Sequence, residues 1–269
     1  MDAQNPRQAL AERAEKAACA PPHLWEPFFA ETNKTVLVAF AHNPNLQERD
    51  ILRLLQRKDL PPEVIRDLAA HREANRNYAV KVALVQHPRT PRLISLPLTK
   101  FLYLFDLVRI CHTPAVPTDI KMLAEETILK GTVAIPRGQK INLARRATGR
   151  VAAALLVSED RELIRAALDN PFLTEANLVR VLTHENLSSS VVELIATHEK
   201  WSCRYHLRLA LVRNPLTPFA RVLAFIPNLA LTDLRDICLD RRMPDPVRKY
   251  IMGYCAQRFA KKPADPQSL

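Results

Sequence analysis

The side chains best suited to chemistry in this chain are arginines, and they are concentrated in its second half. Residues 1–134 hold 18 basic and 15 acidic groups, whereas residues 135–269 hold 21 and 13, within a formal net charge of +11. Arginine outnumbers lysine 16 to 5 in the second half, and its planar guanidinium binds carboxylate or phosphate through paired hydrogen bonds. The composition predicts an anion-binding surface there, while the alternative that the charge only keeps the chain soluble stays open.

Three groups of basic residues make up the predicted surface. They are Arg145, Arg146 and Arg150; Lys200, Arg204 and Arg208; and Arg241, Arg242, Arg248 and Lys249. Members of the middle group are four residues apart, a spacing that places side chains on one face of a helix. The main anion contacts are expected to come from Arg145, Arg146, Arg204 and Arg208.

Sequence motifs for catalysis, metal binding and nucleotide binding are missing. There is no HExxH, CxxC, GxSxG or GxGxxG pattern, and the chain has only four glycines, where average usage gives roughly nineteen. His71 and His198 end predicted helices, where a histidine can bind the last carbonyls. Cys111 and Cys238 each follow an isoleucine and are predicted to be packing residues. We predict a protein without metal or cofactor and favour a non-catalytic role, with an enzyme left open as a third class.

An internal repeat dominates the sequence. Shifting the chain by 127 positions aligns residues 36–117 with 163–244 without a gap, at 26 identities in 82 positions. Asn43 aligns with Asn170, and Tyr205 aligns with Tyr78, so we expect Tyr205 to lie in the core. A chance match does not extend over such a run, and the sequence therefore predicts a tandem duplication.

A shorter period of 44 residues divides each copy into helical modules. It separates Pro44 from Pro88, and Pro171 from Pro215. Helices are predicted where apolar residues recur at helical spacing after proline, serine, aspartate or threonine. These predicted stretches are 61–73, 75–87, 136–156, 159–170, 172–182, 188–200 and 202–214. The 188–190 serine run is predicted to be a turn and helix start. The fold class is thus all-α.

The repeated stretches resemble the HEAT-like and leucine-rich-variant families of α-solenoid repeats. The resemblance rests on the Asn-Pro openings, on Leu-Arg-Asp-Ile at 234–237 and on Pro-Asp-Pro-Val-Arg at 244–248, and the string Leu-Ala-Arg-Arg-Ala at 143–147 is similar to a bacterial solenoid family. It covers about residues 35–258 and implies an α-solenoid of about six modules. Some leucine-rich-variant proteins carry an iron–sulfur cluster on amino-terminal cysteines, but only Cys19 lies in that region here.

The predicted organisation is one continuous solenoid. It comprises an amino-terminal cap helix and connection at 1–34, a first repeat unit at 35–134, a second repeat unit at 135–259 and a disordered tail at 260–269. Unpaired cysteines and the lack of a signal peptide indicate a cytoplasmic protein. No apolar run is long enough to span a bilayer, so we predict no membrane partner.

Two binding functions fit these observations. The preferred one is an interaction scaffold that binds an acidic protein segment in a basic groove, and the alternative is a nucleic-acid-binding solenoid that contacts the phosphate backbone. Only two tryptophans are present, which argues against stacking on single-stranded bases. Phosphate contact along a duplex remains open.

Overall fold

The chain folds into short α-helices. A computed structural model describes residues 6–184, 187–240 and 243–260, and no strand occurs among them. None of the described helices has the length and apolar composition that a bilayer-spanning segment requires. The chain divides into two compact units, 1–133 and 134–269.

The first unit contains ten α-helices among its described residues. They are α1 Pro6–Cys19, α2 Glu26–Phe29, α3 Lys34–Ala41, α4 Glu48–Leu55, α5 Pro62–Ala70, α6 Arg72–Arg76, α7 Tyr78–Gln86, α8 Arg92–Thr99, α9 Leu104–His112 and α10 Thr118–Gly131. A 3₁₀ turn, Pro22–Leu24, precedes α2.

The second unit also contains ten α-helices among its described residues. They are α11 Arg137–Arg146, α12 Gly149–Leu155, α13 Arg161–Leu168, α14 Glu175–Leu182, α15 Ser189–Thr197, α16 Glu199–Ser202, α17 Tyr205–Arg213, α18 Phe219–Phe225, α19 Leu231–Leu239 and α20 Asp245–Ala260. A 3₁₀ turn, Ile226–Asn228, follows α18.

Helices three to ten of each unit begin at corresponding positions. The first residues of α3 to α10 and of α13 to α20 are 127 positions apart in every pair. The packing also corresponds, because α1 contacts α3 and α3 contacts α5, as α11 contacts α13 and α13 contacts α15. A second row pairs α4 with α7, as α14 pairs with α17. These helices of the two units thus make corresponding contacts with their neighbours.

A buried asparagine joins the first helix of each unit to the rest. The Asn43 side-chain amide donates to the carbonyls of Ala17 and Ala20 at 3.1 and 3.0 Å. Asn170 makes the same two bonds at 2.7 and 2.9 Å, to residues that again lie 127 positions further on. Both asparagines are fully buried. The correspondence therefore extends into α1 and α11, before the first residue aligned in the sequence.

Later in each unit, the residue that precedes a proline also makes two hydrogen bonds through its side chain. This residue is His87 in the first unit and Asn214 in the second. The Asn214 amide donates to the Leu182 carbonyl at 2.9 Å and its oxygen accepts the Leu216 N–H at 2.9 Å. At the equivalent position His87 contacts the Arg57 carbonyl through Nε2 at 2.7 Å, and its Nδ1 accepts the Arg89 N–H at 3.2 Å. Burial lowers the pKa of His87, which favours the neutral ring that this pair of contacts needs.

The predicted helix at 136–156 is divided in two. The backbone at Ala147 is extended, and Thr148 caps the new helix by accepting the Val151 N–H. Gly149 lies close to the loop that precedes α14. A Cβ added to Gly149 would stand 2.2 Å from the Phe172 carbonyl oxygen. The Thr148 cap and the close contact of Gly149 with Phe172 thus separate the two helices. Neither feature interrupts the apolar spacing of the sequence.

Two other predictions concern the chain ends and turns. The predicted tail at 260–269 lies outside the described residues, apart from Ala260, where α20 ends. No described residue has positive φ, in agreement with the scarcity of glycine. The serine run at 188–190 is confirmed as a helix start, since Ser188 is the N-cap of α15.

Candidate functional site

The second unit contains a cleft between α14 and α17. Its volume is about 660 Å³, a size that accommodates a short peptide segment or a small ligand. The lining residues are Val179, Leu182, Thr183, His184, His206, Leu209, Ala210, Arg213, Asn214, Pro215, Leu216 and Asp240.

Helix α17 forms one wall because its two faces differ. His206, Leu209, Ala210 and Arg213 line the cleft at helical spacing. The opposite face anchors the helix, with Leu207 and Leu211 fully buried. The packing of one face therefore fixes the direction in which the other face presents its charge.

Helix α14 forms the other wall and is held at both ends. At its start Thr174 and Asn177 form a reciprocal capping box. At its end the Asn214 amide binds the Leu182 carbonyl, which ties α14 to the end of α17. The side chains of Val179 and Leu182 line this wall. The cleft is therefore formed by two helices whose spacing is fixed by a hydrogen bond.

The cleft combines an arginine and two histidines with apolar side chains. His184, His206 and Arg213 are exposed, and among the described part of the chain no side chain forms an ion pair with any of them. Leu216 is partly exposed at the rim, and Asp240 supplies a carboxylate to the lining. An acidic group next to an apolar side chain is the chemistry that complements this surface.

The first unit fills the equivalent region with its own charges. His184 and Leu216 correspond to Arg57 and Arg89. Arg57 binds the Asp59 carboxylate at 2.7 Å, and the Arg89 guanidinium donates to the Asp59 carbonyl at 2.7 Å. Arg213 corresponds to an uncharged glutamine, Gln86. The combination of Arg213 with two histidines thus belongs to the second unit's own residues and not to the shared helical framework.

The predicted stripe of Lys200, Arg204 and Arg208 does not lie along one helix. Lys200 is on α16, which ends at Ser202, and Arg204 is the N-cap of α17. The Arg208 guanidinium is half-buried and donates to the Ser202 carbonyl at 2.7 Å, so it stabilises the break between the two helices. The prediction of a single face was wrong because the spacing does not reveal this break.

The other predicted cations fall at separate places. Arg145 and Arg146 are exposed in the last turn of α11, and Arg150 is exposed on α12. The two arginines Arg241 and Arg242 lie outside the described residues. The described cations of this set do not line the cleft.

The third predicted group contains an arginine with a structural role. The Arg248 guanidinium donates to the carbonyls of Asp240 and Met243 and pairs with Asp245. These contacts hold the turn before α20 together. Lys249 next to it is exposed.

The repeated histidines cap helices at the end opposite to the predicted one. His71 Nδ1 accepts the Glu73 N–H at 3.3 Å, and His198 Nδ1 accepts the Lys200 N–H at 3.2 Å. Each histidine is thus the N-cap of a following short helix, α6 or α16. The second ring nitrogen of His198 contacts Asp169 at 3.2 Å. The prediction that these rings bind the last carbonyls of the preceding helix was wrong.

The repeated tyrosines are connectors and not core residues. Tyr205 is 37% exposed, which contradicts its predicted place in the core. Its hydroxyl donates to Asp233 and accepts the Ala230 N–H. Tyr78 makes the equivalent contacts with Asp106 and Tyr103. The Tyr78 hydroxyl therefore holds the start of α9, and the Tyr205 hydroxyl holds the start of α19. A pattern of apolar residues does not reveal this polar function.

The repeated cysteines have the character of packing residues. Cys111 is buried, and burial raises the pKa of its thiol to about 12. Burial also raises the pKa of Cys238. A thiolate nucleophile needs the opposite shift. Within the described ranges, no group of three or more His, Cys, Asp or Glu side chains could hold a metal ion.

Sequence reasoning missed the cleft residues His184, His206 and Arg213. The signal was present in α17, where positions 206, 209, 210 and 213 share one helical face.

Comparison of the chain with models of known families, with curated proteins and with solved structures gave no match.

Proposed function

We propose that the chain is a HEAT-like α-solenoid that arose by tandem duplication and serves as a non-catalytic scaffold for an acidic protein segment. The cleft between α14 and α17 is the proposed binding site. The observation that carries the proposal is Arg213, a cation that no described residue pairs with, beside two exposed histidines and a partly apolar wall. The helix starts at a constant offset of 127 residues support the duplication.

The expected ligand is a short segment in which acidic and apolar side chains alternate. A carboxylate would bind Arg213, since a guanidinium pairs with carboxylate through two hydrogen bonds. A neighbouring leucine or phenylalanine would contact Leu209 and Leu216, which line the same cleft. An ion pair alone contributes little at an exposed surface, so the apolar contact is needed for affinity.

The test is a titration of fluorescent peptides followed by anisotropy. An eight-residue peptide of alternating glutamate and leucine should bind, and its lysine–leucine counterpart should not. Arg213→Gln, which introduces the residue of the first unit, should weaken binding about tenfold, the loss expected for a hydrogen bond between charged groups. The matched control is Arg221→Gln, because Arg221 is an exposed arginine of α18 outside the cleft and should bind like the wild type.

Phosphate-backbone binding is the alternative function. It is favoured by exposed arginines away from the cleft, such as Arg145 and Arg204, which form no ion pair with any residue that the structure describes. Duplex DNA binding would fall steeply with salt, with a log–log slope of about −0.9 for each phosphate contacted. Retention of duplex DNA with such a slope, together with no binding of the acidic peptide, would replace the scaffold by this alternative.

A further inference from the structure

The first unit carries a row of exposed apolar side chains on α8 and the segment that follows it. Leu93 is 90% exposed, Phe101 74%, Tyr103 69% and Phe105 39%. Leu93, Pro97 and Phe101 are spaced four residues apart, and Pro97 is also exposed. We call these five residues the aromatic ridge. Leu93 and Phe101 are more exposed than Tyr103 and Phe105, and the Tyr103 ring packs on the Tyr78 ring, with 4.4 Å between the ring centroids.

The face of α8 turned towards the interior carries hydroxyl groups. Ser95 and Thr99 are buried. The Thr99 hydroxyl donates to the Ser95 carbonyl at 2.7 Å, and the Ser95 hydroxyl to the Pro91 carbonyl at 3.4 Å. These backbone bonds reduce the cost of burying the hydroxyls. Ser95 and Thr99 thus occupy inward positions beside Leu98, which packs against the core, while Leu93 is exposed.

The second unit shows that the fold does not require hydroxyl groups at these inward positions. Its residues at the positions of Ser95 and Thr99 are Val222 and Ile226, both buried. At the ridge positions it has small or polar residues, namely Ala220, Ala224, Asn228, Ala230 and Thr232. The fold therefore forms without exposed apolar residues at these positions. An interaction with another molecule explains the ridge better than a requirement of the fold does.

An unpaired positive charge lies beside the ridge. Lys100 precedes Phe101 and is exposed, and no described residue forms an ion pair with it. Two carboxylates of the neighbouring helices are neutralised, since Asp106 pairs with Arg109 at 2.7 Å and Asp119 pairs with Arg92 at 2.6 Å. The surface that complements exposed apolar side chains next to an unpaired lysine is apolar and carries negative charge.

We propose that the aromatic ridge inserts into the interface of an anionic lipid bilayer. A fluid bilayer receives protruding side chains without a preformed pocket, and aromatic rings favour the boundary between headgroups and acyl chains. The unpaired Lys100 is attracted to anionic headgroups. Such a contact is peripheral and needs no spanning segment, so it differs from the membrane contact that the lack of a long apolar run argues against.

The test is cosedimentation with sucrose-loaded vesicles of phosphatidylcholine, with and without phosphatidylserine. The wild-type chain should sediment with the vesicles that contain phosphatidylserine and much less with the neutral ones. The variant carries four second-unit residues: Leu93→Ala, Phe101→Asn, Tyr103→Ala and Phe105→Thr. It should lose partitioning about tenfold or more, because most of the inserting apolar surface is removed. Its helical circular dichroism and melting temperature should stay close to those of the wild type.

Three outcomes would overturn the proposal. They are no binding to either vesicle, equal binding by the wild type and the four-residue variant, and a wild-type dimer in light scattering that the variant abolishes without any lipid binding. The last would identify the ridge as a contact between copies of the chain. Arg213→Gln leaves the ridge intact and should keep wild-type vesicle binding, so this proposal and the peptide cleft can fail separately.

Discussion

The two units share their interior contacts and differ in what they expose. Asn43 and Asn170 make the same pair of buried hydrogen bonds, yet the surface of the first unit carries the aromatic ridge and that of the second a cleft lined by Arg213 and two histidines. Buried polar contacts and apolar packing constrain the interior in the same way in both units. Surface residues are free of that constraint, and the two units differ there in the types of side chain that they expose.

The arginines illustrate the difference in one position. Arg53 binds the Glu26 carboxylate through two bonds at 2.9 and 2.5 Å. Arg180 occupies the equivalent position in the second unit, but the residue corresponding to Glu26 is Ala153. The second unit thus has an arginine at this position but no acidic residue at the position of Glu26. Its extra positive charge arises partly from missing acids.

The largest expected effect tests the shared framework. Asn43→Ala and Asn170→Ala should each lower the free energy of unfolding by about 3 kcal/mol, because two carbonyls and one N–H lose their buried partner. Chemical denaturation followed by circular dichroism measures both. Asn45→Ala is the control, since Asn45 is exposed and should cost less than about 0.5 kcal/mol. A large cost at only one of the two asparagines would break the correspondence between the units.

A smaller effect sharpens the difference at α12. Gly149→Ala should destabilise the chain by about 2 kcal/mol, because the new Cβ would meet the Phe172 carbonyl and force the backbone to shift. Gly138→Ala is the matched control on α11, where a Cβ meets nothing within 4 Å. It should be neutral or stabilising by up to about 1 kcal/mol. Equal thermal shifts for both variants would show that the close approach is unimportant.

The smallest expected effect is a pH dependence confined to the first unit. Because burial lowers the pKa of His87 below 6.5, the unfolded chain takes up the proton first as the pH falls. The contribution of His87 is therefore complete above pH 6.5 and is lost as the pH falls through the lowered value. His87→Asn introduces the asparagine found at 214, which in the second unit donates to one carbonyl and accepts one N–H and does not titrate. Denaturation midpoints at pH 7.5 and 5.5 should differ less in the variant, and an unchanged difference would refute this role of His87.

The sequence was sufficient for the fold class because that class depends on spacing. Apolar residues at helical intervals and prolines at 44-residue intervals predict short helices, and the described residues are helical as expected. The break at 147–148 was not predicted, since Thr148 acts through a cap and Gly149 through a close contact with a distant loop. Such contacts between residues far apart in the chain leave no local pattern.

The proposed binding surfaces were predicted less well, for a physical reason. Counting charges drew attention to the second unit but favoured Arg208, whose guanidinium donates to the Ser202 carbonyl. The ridge was not predicted, because the sequence does not show that Ser95 and Thr99 face inward while Leu93 and Phe101 are exposed. Deciding which side of a short helix is exposed requires its neighbours, and composition does not supply them.

The most direct test of the proposed cleft is photo-crosslinking. A glutamate–leucine peptide with a central benzophenone residue would be irradiated with the chain, and the crosslinked sites would be mapped by mass spectrometry. Crosslinks are expected on the walls of the cleft, at residues such as Leu182, Leu209 and Leu216, together with their loss in Arg213→Gln. Crosslinks concentrated in the first unit or around Arg145, with none between α14 and α17, would contradict binding in the cleft.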